Sequence, residues 1–331
     1  MEAKLDKPST VNWFCDRTSD WFTLWLDLKL LVPYAADCFA DNIILKYDPE
    51  TRTTRNNDGV QIRIPGFGGT ATVETLGQDF VTNRLGSYFR DIAESLVSIG
   101  YQRGVNLHGA PYDFRKAANE HFDYFQRVVD LIQDAYTRNG NKSVIIITHS
   151  MGSTMALYLL NHQSKAWKDK YIRAFISLGG PWIGTVQALK TFAIGDNFNN
   201  PLVPASVFVT EQRSDASLAW LMPNLNYWNT NENFIEAPNM NITKENFEMF
   251  YNMLGSTDGL NLWYDTKDLT QEMIAPEVEL FCLYSTGVPT VEKLRYVLNV
   301  GRCSNFCIRR KQADNESPIL DMIIFRVVLA S

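Results

Sequence analysis

The chain has 331 residues, 45% hydrophobic and 21% charged, with a formal net charge of −6. That is enough for one large domain, or for a core with a sizeable insertion, and it excludes a disordered chain. The acidic balance argues against nucleic acid as a partner, and no run approaches the roughly 20 apolar residues of a membrane span.

The opening residues Met1-Glu-Ala-Lys-Leu-Asp-Lys are charged where a signal peptide would be apolar, so none is expected. Residues 13–40 are rich in aromatic side chains, from Trp13-Phe14 to Trp21-Phe22-Thr-Leu24-Trp25, and Cys15 and Cys38 bracket them. Two readings stay open: a disulfide pinning an aromatic flap, or a buried helix with two free thiols. The other cysteines are Cys282, Cys303 and Cys307; the odd count leaves at least one thiol unpaired or paired outside the chain. Glycosylation sequons stand at Asn141, Asn241 and Asn315.

From residue 60 the pattern alternates between strand and helix. Val60-Gln-Ile62-Arg-Ile64 reads as a strand that turns at Pro65-Gly-Phe-Gly-Gly69. Leu85, Phe89, Ile92, Leu96 and Ile99 recur at helical spacing up to Gly100. A strand is expected over 103–108, then a helix carrying Phe122, Phe125, Val129, Ile132 and Tyr136. Val144-Ile-Ile-Ile-Thr148 is apolar throughout, as a strand in a parallel sheet covered on both faces should be. A helix follows from Met151, and residues 172–178 are again strand-like before Gly179-Gly-Pro-Trp182. Residues 186–275 lose this rhythm and have no apolar β run, which suggests a cap inserted over the sheet; the core resumes at Val278-Glu-Leu-Phe-Cys-Leu-Tyr284. The alternation predicts a doubly wound, mostly parallel α/β sheet.

Thr148-His149-Ser150-Met151-Gly152 falls between the apolar strand and a helix, the context of a nucleophile elbow. There a sharp turn lifts the Ser150 hydroxyl above the sheet edge, and the Met151 backbone N–H at the helix start can donate to an oxyanion. The plainer alternative is a helix-capping serine, which the strand before, the glycine after and the helix beyond disfavour.

The chain resembles the lecithin:cholesterol acyltransferase and lysosomal phospholipase A2 family. The resemblance rests on Trp21-Phe-Thr-Leu-Trp-Leu-Asp27, Asp37-Cys-Phe-Ala-Asp-Asn42, Arg63-Ile-Pro-Gly-Phe-Gly68, Gly109-Ala-Pro-Tyr-Asp-Phe-Arg115, His149-Ser-Met-Gly152, Ala166-Trp-Lys-Asp-Lys-Tyr-Ile172 and Ser177-Leu-Gly-Gly-Pro-Trp182. It implies an α/β-hydrolase fold with an inserted cap and an N-terminal aromatic lid. The implied limits are lid 1–45, core 46–185, cap 186–275, a core strand in 276–295 and a divergent tail over 296–331. It implies a phospholipase A or O-acyltransferase in which Ser150 takes an acyl group from a glycerophospholipid and passes it to water or an alcohol, with no metal or organic cofactor. The implied partner is a phospholipid membrane or lipoprotein surface, met by Trp21, Phe22, Leu24 and Trp25. The implied location is the lysosome or the extracellular fluid. Cys15 and Cys38 match the family's lid disulfide, and Cys282 matches half of a second one.

Two parts of the family pattern are missing. The four histidines are His108, His121, His149 and His162, and no Asp-Gly-Asp segment exists, so the triad Asp and His are not present. The strand and Val-Pro-Gly-type loop that supply the second oxyanion donor precede the first residues here; Gly66–Gly69 is then a structural turn. The sequence is therefore expected to be truncated at both ends, with an incomplete core. The alternative function is a catalytically dead member that only binds lipid.

Overall fold

In a computed structural model, residues 1–77, 86–228, 233–237, 240–270, 272–287, 290–295 and 326–330 are described. Leu85, Cys303, Cys307, the Asn315 sequon and all of the expected tail except 326–330 lie outside these residues. In chain order the strands are β1 Glu2–Leu5, β2 Phe22–Thr23, β3 Leu45–Asp48, β4 Thr53–Asn56, β5 Val60–Arg63, β6 Leu107–Gly109, β7 Val144–His149, β8 Ile172–Leu178, β9 Ile235–Ala237, β10 Met240–Ile242, β11 Leu280–Leu283, β12 Leu294–Arg295 and β13 Arg326–Ala330.

The central sheet has the order β11-β8-β7-β13-β6. β7 runs parallel to β8, with Ile146 opposite Phe175, and β8 runs parallel to β11. β13 is antiparallel to both β7 and β6 and lies between them. The continuous apolar run of β7 follows from cover on both faces. Val144 and Ile146 pack with Phe125, Val128 and Ile132 of the helix Phe122–Arg138 and with Met155 and Leu159 of the helix Met151–Asn161. Ile145 and Ile147 point the other way, into a cluster with Phe89 and Ala93 beside the helix Arg90–Ser98. Successive side chains of a strand face opposite sides, so only an all-apolar sequence satisfies both clusters.

Three expectations change. The strand over 60–64 forms as β5, but it joins a small separate sheet, antiparallel to β1. The strand expected over 103–108 is only β6, because a tight turn holds the Gly104 N–H to the Leu107 carbonyl. The region 186–275 is mainly helical, with the helices Val186–Ile194, Ala216–Trp220 and Thr257–Thr266, yet it contains the hairpin β9–β10, to which β12 adds in parallel. Strands of three residues are too short to leave an alternating signature.

Cys15 and Cys38 form a disulfide with a Cα–Cα distance of 5.5 Å, which selects the first of the two readings of this stretch. Cys38 lies on the helix Ala35–Ile43, whose inner face sends Ala36, Phe39 and Ile43 into a separate core with Ala3, Leu24, Trp25 and Leu31.

Candidate active site

β7 ends at His149, and the helix beginning at Met151 starts immediately after a single residue, Ser150, held at φ 53° and ψ −135°. A side chain in that region strains the backbone, so surrounding bonds must hold it there. The Ser150 N–H donates to the Leu178 carbonyl at the end of β8 (2.9 Å), and the Ser153 N–H donates to the Ser150 carbonyl (2.8 Å). Beneath the turn, the hydroxyls of Thr148 and Ser177 both bond to Ser153 Oγ, at 2.9 and 2.8 Å. The helix here presses so close to β8 that a Cβ on Gly180 would fall 2.7 Å from Ser177 Oγ and 2.8 Å from Ser153 Cβ. This contact explains the small side chains at Ser153, Ser177 and Gly180.

The elbow conformation is present, but the hydroxyl does not stand in the open. Ser150 is 1% exposed, and its Oγ has no hydrogen-bond partner among the described residues. A buried hydroxyl left so costs about 1–3 kcal/mol. The Met151 N–H lies at the first position of the helix, where the macrodipole is positive and donors lack intrahelical partners. This is the arrangement that stabilises a developing oxyanion.

None of the four histidines bonds to Ser150. His149 Nδ1 pairs with the Tyr88 hydroxyl, and burial lifts the Tyr88 pKa well above its ordinary range, so the phenol stays protonated. His108 has both ring nitrogens against backbone carbonyls, Nδ1 at 2.9 Å from Gly68 and Nε2 at 3.0 Å from Val105. His121 Nε2 faces the Asp113 carbonyl, and the exposed His162 bonds the Tyr158 carbonyl within its own helix. Tyr88 was not singled out in the sequence, since no spacing rule links it to residue 149.

The glycine loop after β5 is structural. The Gly68 N–H donates to the Gly109 carbonyl at 2.8 Å, and a Cβ on Gly109 would lie 2.4 Å from the Gly69 carbonyl. The close approach requires glycine on β6 and directs the loop's polar groups into the fold.

The aromatic N-terminal segment divides differently from the sequence expectation. Trp21 is partly exposed, under the Arg63 guanidinium at 4.2 Å, and Phe22 is half-buried. Leu24 at 0% and Trp25 at 4% exposure are core residues and cannot meet lipid as placed; Trp25 packs against Phe39, Phe114 and Phe198. The exposed large apolar side chains of this segment are Val11, Trp13, Phe14, Trp21, Leu28, Val32 and Tyr34. Composition alone cannot separate the two sets, because the segment has no regular period to assign faces.

A cavity of about 240 Å³ opens beside the elbow helix, lined by Thr154, Trp182, Trp220, Trp263, Lys267 and Asp268 among others, and Ser150 does not reach it. Cys282, matched by the resemblance to half of a disulfide, is exposed on β11 and has no disulfide partner among the described residues, which leave out Cys303 and Cys307. Among the described residues no group of three or more His, Cys, Asp or Glu is placed to hold a metal.

The sequence profile described as "Lecithin:cholesterol acyltransferase" matches residues 21–273. The lysosomal phospholipase A and acyltransferase of Rattus norvegicus is 44% identical over 297 residues, covering 89% of this chain and 71% of that protein. The phosphatidylcholine-sterol acyltransferase of Gallus gallus is 41% identical over the same length, with the same two shares. Among solved structures, a chain of the Tle4–Tli4 complex aligns at 12% identity with a TM-score of 0.40, covering 87% of this chain and 67% of that one; a likeness this low bears on nothing below.

Proposed function

The chain belongs to the lecithin:cholesterol acyltransferase family, and on that basis we propose that it is a lipid acyl-ester hydrolase and transacylase of lysosomal type that works through an acyl-enzyme on Ser150. The observation that carries this reading is the strained backbone of Ser150 between a parallel strand and a helix N-terminus, within the region matched to the family. In acylation the Ser150 Oγ–carbonyl bond forms as the hydroxyl gives up its proton, the Met151 N–H donates to the oxyanion, and the bond from the acyl carbon to the glycerol oxygen breaks as that oxygen gains a proton. Water or an alcohol then attacks the acyl carbonyl, giving free acid or transferred ester.

The hydroxyl proton must leave as the first bond forms, and among the described residues no side chain is hydrogen-bonded to receive it. Without a base positioned to take its proton, a serine hydroxyl is only a weak nucleophile at neutral pH. Slow turnover is thus the expectation for the described residues acting alone.

Residues 1–45 are read as a lid and 186–275 as a cap over an α/β-hydrolase core. The exposed Trp13 and Phe14, tied by the Cys15–Cys38 bridge, support contact with a phospholipid surface. No helix of the described residues is long and apolar enough to cross a membrane, so the proposed contact is peripheral.

The test compares the chain with its S150A variant on phosphatidylcholine vesicles, following release of fatty acid and transfer to an added long-chain alcohol. Acyl release is expected from the unaltered chain and should vanish in the variant. Equal rates in the two proteins would overturn the assignment.

A further inference from the structure

Away from Ser150, a buried polar cluster joins the N-terminal helix to the 205–220 segment. Its hub is Arg115, fully buried at the end of the Gly109–Arg115 motif. The guanidinium takes Asp113 in a two-pronged pair, Nε to Oδ1 at 2.9 Å and NH2 to Oδ2 at 2.6 Å. Its remaining bonds go to the Ile43 carbonyl at the end of the helix Ala35–Ile43 (2.7 Å) and to Asn56 Oδ1 on β4 (2.8 Å). The Arg115 carbonyl accepts the Ser217 N–H at 3.0 Å.

Facing this hub are two more acids, Glu211 at 4% and Asp215 at 8% exposure, four residues apart along the same segment. Each keeps one carboxyl oxygen, Glu211 Oε2 and Asp215 Oδ1, without a hydrogen-bond partner among the described residues. The charge balance is unfavourable for two carboxylates. Arg115 already has Asp113 as its partner, so one guanidinium would face three negative groups. Other charged groups here are the Met1 amine, which senses Glu2, Asp113 and Arg115, His121 beside Asp113, and Arg213, whose guanidinium donates to the Phe192 and Ala193 carbonyls. Burial lowers the pKa of that amine, weakening it as a counter-charge. A buried charge without a partner costs several kcal/mol, and neutralisation by a proton is the cheaper state.

We propose that Glu211 and Asp215 form an acid-locked joint: as neutral carboxylic acids they let the 205–220 segment pack on Arg115, and their ionisation in alkaline conditions loosens that packing from the N-terminal helix. The inference stands on burial and charge at this cluster and is independent of the acyl-transfer reading.

The directions of titration agree. Burial pushes Glu211 up to about 8 against the pull of Arg115, and burial together with Glu211 raises Asp215 well above the usual carboxylate range. Both folded-state pKa values lie above their unfolded ones. The stabilisation is therefore complete below the ordinary carboxylate pKa and is lost as pH rises through about 8. Asp113 has the opposite sign: burial would raise it, but the charge and hydrogen bonds of Arg115 hold it below the usual range, so its contribution is lost in strong acid.

The experiment is thermal unfolding of the full chain between about pH 5 and about pH 9, beside the near-isosteric E211Q/D215N variant. The Tm of the unaltered chain should fall across this range by an amount on the order of 5 °C or more, and the variant should lose most of that fall. Parallel slopes in the two proteins, or a flat profile in the unaltered chain, would overturn the joint. If the variant does not fold, the unaltered protein still decides. Its infrared difference spectrum between about pH 6 and about pH 9 should show a carboxylic-acid carbonyl band lost on the alkaline side, and absence of that band refutes the proposal.

Discussion

A serine at φ 53° and ψ −135° costs the fold energy that a glycine would not. The backbone strain is on the order of 1–3 kcal/mol, and the unpartnered buried hydroxyl adds a similar amount. S150G removes both terms. It should therefore unfold at a higher denaturant concentration than the unaltered chain while losing acyl release. An unchanged or lower midpoint would mean that the elbow holds no strain. Stability gained by deleting a functional group is the familiar signature of a site kept against the interest of the fold. The same residue shows what local sequence can and cannot reveal. The apolar strand, the small residues and the helix start are all short-range features, and they placed Ser150, the turn and Met151. Whether the hydroxyl was covered depended on chain segments far away in sequence, and the expected open serine is instead buried.

At the scale of elements, periodicity recovered what it measures. The helices Arg90–Ser98, Phe122–Arg138 and Met151–Asn161 and the strands β7 and β8 follow from their apolar spacing. Aperiodic stretches were opaque: the inward turn of Leu24 and Trp25, the three-residue strands β9 and β10, and the place of β13 inside the sheet all depend on long-range pairing. The N-terminal segment illustrates the functional stake. Trp13 is 93% exposed, so W13S should leave the melting temperature unchanged. If this edge meets lipid, the same substitution should cut adsorption to phosphatidylcholine vesicles severalfold in a flotation assay. W25S should behave oppositely, lowering stability by about 3–5 kcal/mol as for other large aromatic truncations in a core. Loss of vesicle binding in W25S alone, with W13S unaffected, would move the lipid contact elsewhere.

At the scale of the whole molecule, the sheet is asymmetric. Among the described residues one end of the strand order is β11, whose Leu280, Phe281 and Leu283 are exposed beside the Cys282 thiol, with the exposed Tyr284 just beyond. An apolar strand at a sheet edge is a template for pairing with another chain. The chain should therefore associate as its concentration rises, and F281K/L283K should suppress this, as read by light scattering. Identical scattering from both proteins would locate the sticky surface away from β11. The covered serine sets a different kind of limit. A reagent dissolved in bulk solvent meets Ser150 only during the fraction of time that the surrounding protein parts. Each 1.4 kcal/mol needed for that parting slows the encounter tenfold. The rate at which a fluorophosphonate marks this residue thus acts as a gauge of how often the gate swings. A bilayer that favours the parted form would quicken the marking without touching the chemistry at the hydroxyl.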